Sequence, residues 1–161
     1  MARYIHMLAL MAFAGMAQAQ GTQVAFGTVA QDSSLPVEVT SDNLNVNQND
    51  GTAIFTGNVV IGQGEMRLAA PRVLVVYLED QSGIERLQAT GGVTLVSGPD
   101  AAEAAQANYN VQTGMIEMQG DVLLVQGTSA ITADKMYVDT AAGTARMNGR
   151  VKTVLRSEAQ E

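Results

Sequence analysis

The chain has 161 residues, enough for one domain with its own core, and its net charge of −7 excludes the basic patch that a nucleic-acid partner requires. It has no cysteine or tryptophan, and its one histidine is His6. Disulfides, the usual zinc ligands and histidine- or thiolate-based catalysis are therefore excluded.

Residues 1–19 have the form of a secretory signal peptide. Arg3 supplies the positive start, an apolar run covers residues 8–16, and Ala17-Gln18-Ala19 fits the small-x-small cleavage rule. The run is well short of the ~20 residues of a spanning helix. Cleavage after Ala19 removes Arg3 and His6 and leaves 8 basic and 16 acidic residues. Residues 20–36 are small and polar and predict a flexible lead-in. Residues 37–156 form the predicted domain, and residues 157–161 a polar tail.

From Val37 the pattern alternates at period two, which predicts strands. Val37, Val39, Leu44 and Val46 alternate with polar neighbours, and Asn49-Asp50-Gly51 predicts a hairpin turn. Ala53, Phe55, Gly57, Val59 and Ile61 then share one face, and Gly62-Gln63-Gly64 predicts a turn. The returning strand carries Met66, Leu68 and Ala70, then Val73, Val75 and Tyr77. The parity slip between Ala70 and Val73 predicts a bulge or kink at Pro71. A loop is expected over residues 79–84. Residues 101–107, Ala-Ala-Glu-Ala-Ala-Gln-Ala, have strong helix propensity, yet their place in the repeat predicts a strand.

The repeat is the organising feature. Gly57, Gly91, Gly120 and Gly149 are spaced 34, 29 and 29 residues apart. Ala70, Ala104 and Ala133 each follow a glycine by 13 residues. Apolar residues stand two before each glycine (Phe55, Ala89, Met118, Met147) and two after (Val59, Val93, Val122, Val151). Each unit of about 29 residues reads as a hairpin with one apolar face, which must be buried against neighbouring copies. Each glycine is predicted to lie mid-strand, where it either lets the strand bend or leaves interior space. The fold class is all-β, built from stacked antiparallel hairpins.

Several of these stretches resemble the LptA/OstA-like family of lipopolysaccharide-transport proteins. Pro36-Val37-Glu38-Val39-Thr40-Ser41-Asp42 looks like the family's opening strand, and Phe55-Thr56-Gly57-Asn58-Val59 like its glycine step. Leu68-Ala69-Ala70-Pro71-Arg72-Val73 corresponds to its return strand, and Ile131-Thr132-Ala133-Asp134-Lys135-Met136 matches that strand more closely. The resemblance runs from Pro36 to about Leu155. It departs at Pro71, where the family often has an acid, and is plainest over residues 101–107. It implies a twisted antiparallel β-jelly roll, V-shaped and slightly open. It also implies a periplasmic, non-enzymatic carrier without a cofactor that binds the acyl chains of lipopolysaccharide between its sheets. The implied partners are LptC-like domains at the inner membrane, LptD-like domains at the outer membrane, and further copies joined head to tail by edge strands.

On that reading Val37, Phe55, Val59, Ile61, Val93, Leu95, Tyr109, Met118, Val122 and Leu124 are the candidate lipid-binding residues. The same columns serve equally as plain sandwich core. Met66, Met115, Met136 and Met147 add adaptable apolar side chains of the same kind. The segments 37–46 and 145–155 are the candidate open edges. Arg146, Arg150, Lys152 and Arg156 either protect the second edge or meet acidic groups there. No metal or catalytic residue is expected: the acids are scattered, and Asp80 and Asp100 read as solvated turn residues. Two other readings are an LptC-like member that keeps its anchor, and a structural β-solenoid that binds no lipid.

Overall fold

A computed structural model describes residues 22–27, 32 and 34–156. The predicted signal peptide and polar tail lie outside the described residues. The described chain is all strand and turn. The strands are β1 (Thr22–Ala25), β2 (Glu38–Thr40), β3 (Asn43–Asn47), β4 (Thr52–Gln63), β5 (Met66–Tyr77), β6 (Ile84–Ser97), β7 (Asp100–Asn110), β8 (Met115–Gln126), β9 (Ser129–Asp139), β10 (Thr144–Asn148) and β11 (Lys152–Val154). Every pairing is antiparallel, in the order β1-β10-β9-β8-β7-β6-β5-β4-β2, with β3 also on β4 and β11 also on β9. Residues 101–107 lie within β7, so their helix propensity yields to cross-strand pairing on both sides.

One line of bulges converts this sheet into a sandwich. Gly57 and Asn58 fall between the paired residues Thr56 and Val59 of β4, opposite the single residue Pro71. The same two-against-one step recurs at Gly91–Gly92 opposite Ala105 and at Gly120–Asp121 opposite Asp134. Both residues of each step have positive φ, for example 81° and 45° at Gly57–Asn58 and 87° and 47° at Gly120–Asp121. Such bulges bend a strand sharply, and aligned across neighbouring strands they fold the whole sheet along one hinge.

Each long strand therefore contributes to two walls. The β3 wall contains β3, the hairpin halves at residues 52–56, 72–77, 84–90, 106–110, 115–119 and 135–139, then β10 and β1. The β2 wall contains β2, the other halves, and β11. The walls bury one continuous apolar core between them.

Three expectations are corrected. The lead-in over residues 20–36 is not wholly unstructured: Thr22–Ala25 pair with β10, and Phe26 is buried in the core. The bend also splits each terminal strand in two, so that 37–46 gives β2 and β3, and 145–155 gives β10 and β11. The hinge glycines do not share the interior face of their apolar neighbours, because positive φ turns the step outward. Gly91, Gly92 and Gly120 are exposed, while Val93, Met118 and Val122 beside them are buried.

Candidate lipid-binding interior

Period-two alternation sends one side chain in two into the interior of each wall. From the β2 wall come Val59, Ile61, Val93, Leu95, Val122 and Leu124; from the β3 wall come Phe55, Tyr109 and Met118. Eight of these nine are at most 2% exposed, and Phe55 is half-buried against them. Val37 lies just before β2 and also packs half-buried on the same core. All ten candidates are thus in one apolar cluster. In this structure they form a packed core rather than an open trough.

Polar residues missed by the sequence reading line the rim where the hairpin tips of the two walls meet. Gln63, Ser97, Asp100 and Thr140 are buried. Gln63 ends β4 on the interior parity of Val59 and Ile61, and Ser97 ends β6 on that of Val93 and Leu95. Continuing the alternation by one step would have found both. The Tyr109 hydroxyl, on the β3 wall, donates to Gln63 Oε1 on the β2 wall. Gln63 Nε2 in turn donates to the Leu35 carbonyl at 2.9 Å. Burial pushes the Tyr109 phenol above its ordinary range, and a hydrogen bond with Thr140 partly opposes that shift. Thr140 Oγ1 donates to the Gly114 carbonyl at 2.8 Å. Asp100, expected as a solvated turn acid, accepts instead from the Gly27 amide at 2.8 Å and from Gln126 Nε2 at 3.0 Å. Gln126 Nε2 also donates to the Ala25 carbonyl at 2.7 Å. The rim is therefore closed by a chain of polar contacts that joins both walls to the residues preceding β2.

Asp42 and Asp134 hold the two ends of the hinge line. The Asp42 amide donates to the Gly57 carbonyl and the Asp134 amide to the Gly149 carbonyl, both at 2.9 Å. Asn58 Nδ2 donates to Asp42 Oδ2 at 2.8 Å, and Arg150 Nε donates to Asp134 Oδ1 at 2.8 Å. The Arg150 hydrogen bond and charge hold the Asp134 carboxyl below the usual carboxylate range. Of the four basic residues at the second edge, Arg150 thus has an internal partner. Groups of three or more metal-ligating side chains do not occur among the described residues, nor does a helix long and apolar enough to cross a membrane.

A known structure with this architecture is that of LptH from Pseudomonas aeruginosa, described as the LptA-homologous periplasmic component of a lipopolysaccharide transport device. It superposes with a TM-score of 0.70 at 18% identity, over 79% of this chain and 99% of that one. In sequence, an uncharacterised protein of Rhizobium meliloti is 27% identical over 94% of this chain and 87% of its own length. The lipopolysaccharide export system protein LptA of Escherichia coli K12 is 25% identical over 67% of this chain and 62% of its own. The LptA of Haemophilus influenzae is 24% identical over 77% and 78%. The model of the family described as "LptA/(LptD N-terminal domain) LPS transport protein" matches residues 38–153, and the chain belongs to that family of lipopolysaccharide transport proteins.

Proposed function

We propose that this protein is a periplasmic, non-enzymatic carrier that holds the acyl chains of lipopolysaccharide between its two walls and passes them along a head-to-tail stack. The observation that carries the reading is the folded sheet itself. Two apolar walls face each other, and among the described residues the strand order ends in an edge strand at each end of the sandwich rather than closing on itself. Burying one methylene contributes about 0.8 kcal/mol, so a few partly inserted chains hold the lipid while still permitting release. Because the interior is packed, loading requires the walls to part, and the polar rim is the seam along which they part.

The hinge line supports the stack. It alternates single residues with two-residue steps, beginning at the single Asp42 and ending at the pair Gly149–Arg150. A second copy placed after Arg150 continues that alternation and sets its Asp42 beside the first copy's Arg150. LptC-like domains at the inner membrane and LptD-like domains at the outer membrane would take the terminal places by the same geometry. A solenoid that binds no lipid would share the fold but not the loading.

The test is a photo-crosslinking amino acid at Leu95 or Val122, in cells. Lipopolysaccharide adducts are expected from both sites. Their absence at both, with the protein folded and exported, would sink the carrier reading.

A further inference from the structure

The two ends of the sandwich are not equivalent. Among the described residues the β2 wall has eight strands, from β2 to β11, and the β3 wall has nine, because β1 adds to β10. Without β1 both walls would have eight strands and end flush. Eight alternating antiparallel strands leave the last one opposite in direction to the first. A second copy's β3 would therefore run antiparallel to β10 while its β2 ran antiparallel to β11. With β1 in place this match is lost. The β3 wall projects by one strand, and β1 runs in the same direction as β3, so an arriving β3 would have to pair parallel to it and out of step with the other wall.

We propose that β1 is an intramolecular cap on the outgoing edge, and that its release makes this end competent for a second copy. The proposal rests on the head-to-tail reading above. The cap is short and docked by few contacts. Four residues pair with β10, from Thr22 opposite Met147 to Ala25 opposite Thr144. Val24 is half-buried over the core, and Phe26 is buried below it. Phe26 also donates its amide to the Gly143 carbonyl at 2.9 Å. Asp100 and Gln126 latch the end of the strand at Gly27 and Ala25. A Cβ on Gly27, whose φ is +80°, would lie 2.5 Å from Ser97 Oγ, so the turn that follows the cap fits only glycine closely. Cap and rim share these contacts, so release of β1 also loosens one end of the seam through which acyl chains would enter.

Two full-chain variants test this by sedimentation velocity across a concentration series. Val24→Asp puts a charge where β1 meets the core and leaves both eight-strand walls intact. The pair Gln23→Cys and Arg146→Cys, directly opposed in the β1–β10 register, locks the cap in a chain with no other cysteine. Val24→Asp is expected to assemble at a concentration at least tenfold lower than the wild type. The locked chain is expected to stay monomeric until reduced, then to behave as wild type. A locked chain that assembles as readily as its reduced form would overturn the cap, even if Val24→Asp proved unstable by thermal melt. If the wild type assembles but Val24→Asp assembles no more readily, the cap fails while the stack survives. If no form assembles at any concentration, the head-to-tail reading fails and the cap with it.

Discussion

Gly120 shows how one residue decides the shape of a strand. Its φ is +87°, and a Cβ there would stand 2.7 Å from the Ala105 Cβ. Gly120→Val should therefore cost about 3 kcal/mol, combining the left-handed penalty with overpacking. Gly92, at φ +95° with open space around it, separates the two terms. Gly92→Ala should cost only about 1 kcal/mol, from the backbone penalty alone. Urea unfolding of the pair checks the contrast; equal losses would mean that the contact with Ala105 is irrelevant. Tyr109 is the other residue with a distinct signature. A phenol whose folded pKa is raised stabilises the fold fully below its unfolded value of about 10 and loses that contribution as pH climbs from there through the higher folded value. In an ultraviolet titration Tyr109 should ionise above the ordinary tyrosine range. Tyr109→Phe should cost about 1–2 kcal/mol at neutral pH, since it takes a donor from Gln63, and should flatten the alkaline fall in stability.

At the scale of elements, the terminal strands differ from the rest. β4 to β9 run through the hinge unbroken, whereas the outermost strands divide into β2 with β3 and β10 with β11. An inner strand is held by a ladder on each side, while an outer one has a single neighbour to carry it across the bend. These short strands also expose apolar side chains. Leu44 and Val46 on β3 are each 56% exposed, and Val154 on β11 is 45% exposed. Such edges template pairing with another chain. Leu44→Lys should change unfolding free energy by less than about 0.5 kcal/mol, as surface substitutions do, yet weaken self-association measured by sedimentation. Unchanged association would remove β3 from the interface.

At the scale of the whole molecule, both walls share one core, so the chain should unfold in a single transition. Leu124 is fully buried in that core, and Leu124→Ala should lower stability by about 2–5 kcal/mol in calorimetry while keeping one transition. Two separate transitions would mean that the walls fold as independent units.

The repeat explains how much could be read from the chain alone. Apolar alternation at Ala53–Phe55 and Val59–Ile61 marked the strands, and the 29-residue spacing corrected the helix propensity of residues 101–107. Those features are local or periodic, and the same side chains that define them drive burial. The family resemblance likewise rested on short motifs that the match over residues 38–153 supports. The lipid-binding assignment of the ten apolar candidates rests on the reading proposed above; the structure shows them as one core. Four facts depended on contacts between distant residues. Positive φ at paired positions turned the glycine line outward as a hinge. Gln63 met Tyr109 from the opposite wall, 46 residues away in sequence. Asp100 received the Gly27 amide 73 residues away. A small, polar stretch around Thr22 became a strand because β10 offered an unpaired edge. Sequence determined the alternation, the repeat and hence the stacked-hairpin fold, because each is written in neighbouring residues. Tertiary structure alone decided which side the hinge faces, which polar groups close the rim and which edge is capped, because hydrogen-bond partners exist only once the walls have folded together.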